Sequence, residues 1–119
     1  MRLTELLYEM ATLQPSKTGL GLPIYVGPEE VYGAQLPHHL PRIKIRTTFG
    51  DIPLTIPQNE GEIPDFPPSL KRRADVYKRR INPAILSEIQ QYIVKHRKVL
   101  TMFYKQEINK PQLKELLGL

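Results

Sequence analysis

Two adjacent histidines, His38 and His39, stand between Pro37 and Pro41 and lead directly into Arg42-Ile43-Lys44-Ile45-Arg46. Metal-independent cleavage of RNA needs a general acid and base, together with a positive charge that stabilises the phosphorane. His38 or His39 with Lys44 supplies those types, and a small ribonuclease-like toxin is one reading of the stretch. Neighbouring residues on an extended chain point to opposite sides, so only one of the two histidines shares a face with the cations. A metal site needs three or four ligands. The third histidine, His96, falls on an apolar helical stripe, and Glu29, Glu30 and Asp51 have no ligand spacing. No metal and no cofactor is expected.

The cations make the stronger case. Arg42, Lys44 and Arg46 alternate with Ile43 and Ile45, the pattern of a strand with one wet face. Same-face neighbours lie about 6.8 Å apart, close to the phosphate spacing of a single nucleic-acid strand. For the three cations alone, an ordinary solvated sheet face is the better explanation. A second cluster, Arg72, Arg73, Lys78, Arg79 and Arg80, makes a continuous anion-binding surface if it lies beside the first. Tyr25, Tyr32 and Tyr77 are available for stacking, without the aromatic pattern of an RNA-recognition motif.

The elements that must position these groups follow from periodicity. Leu3, Leu6, Leu7, Met10 and Leu13 make one apolar stripe, which predicts an amphipathic helix over 1–14, ended by Pro15, Ser16 and Gly19. A linker to residue 20 follows. Gly21 to Pro28 reads as a short strand with Pro23 at its start or on an edge. Arg42 to Phe49 is the clearest strand. Gly50-Asp51 reads as a turn, and Ile52 to Ile56 returns as a partner that Pro53 confines to the sheet edge.

Pro57 to Pro68 is an acidic, proline-rich loop whose Glu60, Glu62 and Asp65 are available to cover nearby cations. Leu70, Ala74, Tyr77 and Ile81 favour a short basic helix behind Ser69. Asn82-Pro83 starts a helix that runs to about Lys105, with Ile85, Ile89, Tyr92, His96, Leu100 and Phe103 on one stripe. His96 is expected to be buried and hydrogen-bonded, and Tyr92 and Tyr104 to be core residues with a polar tip. Asn109 and Pro111 begin a last short helix whose Leu113, Leu116 and Leu117 dock on the core. The Leu-Lys-Glu-Leu-Leu run there reads as a core-closing helix rather than a partner-binding motif.

The expected fold is one α+β domain over 1–119: a small antiparallel sheet packed on one long C-terminal helix, with short helices near both ends. Cysteine is absent, which excludes disulfides, Cys-ligated zinc and thiol catalysis. No phosphate loop, dinucleotide fingerprint, serine nucleophile elbow or HExxH motif is present. No run of about 18 apolar residues predicts a membrane span. Glu5 and Glu9 interrupt any leader-like apolar run, so a cytoplasmic protein is expected. Net charge is +5 with 17 Lys and Arg against 12 Asp and Glu, which favours a polyanionic partner.

The segment His38-His39-Leu40-Pro41-Arg42-Ile43-Lys44-Ile45 resembles the His-x-Pro-Pro-His-Phe-His-Val signature of a small bacterial family of unknown function, found in mobile-element or toxin–antitoxin-like gene pairs. Further elements match in order: Gly21-Leu22-Pro23, Arg42 to Ile45, Ile93 to Leu100, and Glu107-Ile108-Asn109. The resemblance spans roughly residues 19 to 119. It implies a small sheet with a long helix and carries no established activity. Arg42 and Lys44 stand where the signature has paired histidines, which removes imidazole chemistry there and keeps anion binding. It also implies an extended Ala74-Asp75-Val76-Tyr77, against the helical periodicity.

The reading from sequence is a non-enzymatic binding module of a bacterial mobile element or phage. It would hold nucleic acid or an acidic protein partner through Arg42, Lys44 and Arg46 with the 71–80 cluster. A ribonuclease-like toxin, and a phage inhibitor or structural protein acting by surface complementarity, are the alternatives.

Overall fold

The computed structural model describes residues 11–27, 41–67 and 71–119; for 71–74 only the backbone is described. Among the described residues the elements in chain order are β1 (Ala11–Leu13), α1 (Pro15–Thr18), β2 (Ile24–Val26), β3 (Arg42–Thr47), β4 (Gly50–Thr55), α2 (Lys71–Arg80), α3 (Pro83–Lys95), α4 (Arg97–Tyr104) and α5 (Lys110–Leu116). Four strands in the order β1-β2-β3-β4 form one antiparallel sheet, and the protein is an α+β fold.

Register explains the core. Ala11, Val26, Ile43 and Leu54 lie side by side across the four strands, and Leu13, Ile24, Ile45 and Ile52 form the next row. All eight are buried, at 3% exposure or less. Strand alternation sends their neighbours Thr12, Tyr25, Lys44 and Pro53 to the other face. The helices cover the inner face with Ile89, Ile93, Leu100, Phe103 and Leu113, each fully buried. Burying a large apolar side chain stabilises by roughly 1.5–3 kcal/mol before chain entropy is set against it.

Several boundaries differ from the sequence expectation. Ala11–Leu13 is strand, not the end of a helix, because it pairs with β2; residues 1–10 of the expected helix lie outside the described residues. A short helical turn follows at Pro15–Thr18, ended by Gly19 at φ 78°. The β3–β4 turn is Thr48-Phe49, with Gly50 and Asp51 already paired to Thr47 and Arg46. The Thr47 hydroxyl holds this turn: it donates to the Gly50 carbonyl at 2.7 Å and accepts from the Phe49 N–H at 3.1 Å.

Pro53 does lie on an edge strand. On the outward side of β4 Pro53 has no N–H, and the Thr55 N–H donates to the Asp65 carbonyl at 2.8 Å. That side is therefore closed to further strand pairing at both positions. The loop after β4 is wrapped onto the body rather than loose, with Phe66 5% exposed and Pro64 and Pro67 buried.

Lys71–Arg80 is helix, so the extended segment implied by the family resemblance is corrected. The single long helix expected from Pro83 is two, broken at His96 (φ −109°, ψ 17°). A straight helix of that length would run about 33 Å, well past a six-residue strand of about 20 Å; at His96 the first helix ends and a second begins. Both proline-marked starts hold. Asn82 accepts from the Ala84 N–H at 2.8 Å, and Asn109 and Gln112 form a reciprocal capping box. Leu113 and Leu117 are buried, but Leu116 is 52% exposed and does not dock.

Gly21 has a packing role. A Cβ there would lie 2.9 Å from two atoms of the Ile85 side chain, so glycine lets α3 approach the segment leading into β2. Gly21→Ala should destabilise by about 1–3 kcal/mol, read as a lower urea midpoint with an unchanged slope. An unchanged midpoint would mean that Ile85 moves away freely.

Candidate anion-binding interface

The outer face of β3 carries Arg42, Lys44 and Arg46, as alternation demands, but the three are not equivalent. Arg42 and Lys44 are half-buried and engaged by contacts within the protein. Arg46, at the hairpin end, is exposed. Its guanidinium donates to the Tyr25 hydroxyl and lies 5.4 Å from the centre of the Tyr25 ring. Asp51 is its cross-strand neighbour. The open end of the expected ladder is therefore one arginine, braced by a tyrosine and flanked by one carboxylate.

The second cluster sits on the other side of the sheet. Helix α2 is anchored by Ile81 just beyond its end, 3% exposed, and by Tyr77, whose ring is 5.6 Å from that of Phe66. Both anchors join the core beneath the inner face. The ladder and the helix therefore do not form one flat basic plane. They approach each other around the hairpin tip, where Arg80 lies 4.7 Å over the ring of Phe49. Phe49 is 63% exposed. Lys78, Arg79 and Arg80 are all exposed. Lys78, Arg79 and Arg80 occupy the last turn, where the helix dipole favours positive charge. The side chains of Arg72 and Arg73, and His38 and His39 entirely, lie outside the described residues.

Helix α2 contains six Lys and Arg and one Asp. That surplus of five equals the net charge of the entire chain. The positive charge is thus a local property of ten residues. Asp75, also exposed, offsets Lys78 and Arg79 at the i+3 and i+4 positions; the remaining like charges repel one another.

A cleft of about 350 Å³ separates the hairpin end from α2, lined by Phe49, Gly50, Asp51, Ile52, Val76, Tyr77 and Arg80. Sequence reasoning missed Phe49 and Val76, because each reads as ordinary strand or helix apolar content. A faint signal existed: Phe49 follows two threonines into a glycine turn, a place where a core side chain has little to pack against.

Among the remaining described cations, Arg97 has a use within the fold. Arg97 donates to the Gln58 carbonyl at 3.3 Å and lies 4.0 Å from Glu60, so one acid of the proline-rich loop does approach a cation. Glu62 instead accepts from the Asn59 amide at 2.6 Å. No group of three or more His, Asp or Glu suited to a metal ion occurs among the described residues. No helix among them is long and apolar enough to cross a membrane.

His96 is half-buried rather than enclosed, with its ring 4.5 Å from that of Tyr92. The Tyr92 hydroxyl is buried and has no hydrogen-bond partner among the described residues. Burial raises the Tyr92 pKa. Burial, and then the Lys95 charge, lower that of His96. With the folded value depressed, the unfolded chain takes up the proton first as pH falls. The His96 contribution to stability is therefore complete above about pH 6.5 and is lost as pH drops toward the folded value. Urea midpoints of wild type should fall between pH 7.5 and 5.5 by more than those of His96→Gln; equal falls would contradict this assignment.

The chain matches no protein-family profile, no curated protein and no solved structure.

Proposed function

We propose that this protein is a non-enzymatic nucleic-acid-binding module, with the hairpin end and α2 as its contact surface. The observation that carries the reading is that the whole positive excess resides in α2, next to an exposed aromatic ring. Sequence-independent binding is dominated by phosphate neutralisation. Lys78, Arg79 and Arg80 supply that from the helix, and Arg46 from the far side of the tip. Phe49, with Arg80 over its face, has the aromatic and guanidinium character on which unpaired bases stack. The acidic-partner reading has the charge in its favour but no use for the stacked pair. Membership of a mobile element is part of the proposal and rests on the resemblance alone.

The test is fluorescence anisotropy with a labelled single-stranded oligonucleotide at about 50 mM salt. Saturable binding that weakens steeply toward 200 mM is expected. No binding at the lower salt would end the reading.

A further inference from the structure

Phosphate binding alone leaves one feature unused, the cleft between the hairpin end and α2. Its volume of about 350 Å³ falls within the range of small-ligand sites. Its walls are mixed in a particular way: the Phe49 and Tyr77 rings with Ile52 and Val76 on the apolar side, and two opposite charges, Arg80 and Asp51, beside them. Phe49 and Val76 are 63% and 44% exposed, so two large apolar groups stand in water beside the most cationic element of the chain. Arg80 already lies 4.7 Å over the Phe49 ring, which shows that the aromatic face receives a flat, electron-poor group.

We propose that this cleft seats one unpaired nucleobase, making the protein selective for single strands over duplexes. The inference rests on the nucleic-acid reading above and adds a base site to it. A base entering the cleft would take the place of the Arg80 guanidinium on the Phe49 face and cover Val76, with Arg80 swung toward the phosphates. Its flanking phosphates would fall toward Arg79 and Arg80 on the helix side and toward Arg46 on the other. In a duplex the base faces are occupied by stacking, so only the phosphate contacts would remain. An acidic peptide shares the charge but presents no flat ring to the aromatic pair.

The probes are three labelled strands of equal length: an oligothymidylate, the same phosphate chain with every base removed, and a duplex. The proteins are wild type, Phe49→Ala and Val76→Met, the last of which extends a longer, non-aromatic side chain into the cleft from an exposed position; circular dichroism confirms that each remains folded. Wild type should hold the intact strand roughly tenfold more tightly than the abasic chain or the duplex. Both variants should bring the intact strand down to the abasic level and leave abasic binding unchanged. Equal affinity of wild type for intact and abasic strands overturns the base site and leaves phosphate binding standing. So does a preference that survives in both variants. Binding of none of the strands overturns both readings. Displacement of the intact strand by polyglutamate as effectively as by the unlabelled strand, at equal charge concentration, would mean that charge alone is recognised and would overturn the proposal.

Discussion

Phe103→Ala is expected to destabilise the fold by about 3–5 kcal/mol, the usual cost of emptying an aromatic site that cannot collapse. Phe103 is fully buried and is among the largest of the completely enclosed side chains. It sits on α4, which contacts both α5 and β2, so the space it leaves would be shared by sheet and helices and closed by neither. Domains of this size have only about 5–15 kcal/mol in reserve, and much of the population should lose its fixed tertiary packing. Near-ultraviolet circular dichroism with a urea titration reads this directly. Phe49→Ala is the contrast, because Phe49 stands in water at the hairpin tip; its cost should stay below about 1 kcal/mol. Similar costs for the two would contradict the placement of the core.

The second large effect is on binding. Arg79→Glu with Arg80→Glu should reduce affinity for a single strand by about a hundredfold or more near 0.1 M salt, since each reversal removes a phosphate contact and adds a repulsion. Both side chains are exposed, so the fold should survive. Losing the Arg80–Phe49 contact costs under about 1 kcal/mol, and acids in the last helical turn cost about 0.3–1 kcal/mol each. Lys95→Glu with Lys98→Glu makes the same change in net charge at the end of α3 and the start of α4, where both side chains are also exposed. It should weaken binding only a few-fold. Equal losses for the two pairs would mean that net charge, and not α2, attracts the strand.

Much of the fold was legible where side-chain alternation and helix caps are local properties. Ile43 and Ile45 against Lys44 and Arg46 identify β3 and its two faces without any knowledge of the neighbours. Asn82-Pro83 and Asn109 with Pro111 mark helix starts because capping is chemistry within a few residues. Pro53 names an edge because it lacks a donor. What was not legible depends on partners distant in sequence. Ala11-Thr12-Leu13 carries a helical stripe, yet it becomes strand because Val26 and Ile24 stand opposite it in register. The break at His96 is marked by no proline or glycine, so nothing local in the sequence announces it.

The site was legible in part. The residue types and both basic clusters are visible in the chain. Their relation is not, because it is set by Tyr77 and Ile81 packing under the inner face while the ladder points outward. The consequence is a shift of emphasis from the whole ladder to its exposed end at Arg46, and from two side-by-side patches to one hairpin tip bordered by a cationic helix. The histidine pair that opens the sequence reading lies outside the described residues and bears on none of this geometry.

The most direct test of the central claim is the salt dependence of single-strand affinity, measured for wild type and for Arg79→Ala with Arg80→Ala. If Arg46, Lys78, Arg79 and Arg80 each neutralise one phosphate, log affinity should fall against log salt with a slope of about −3, and removal of two of the four should bring it to about −1.5. A wild-type slope near zero, or one that the double variant leaves unchanged, would contradict α2 and the hairpin tip as the phosphate-binding surface.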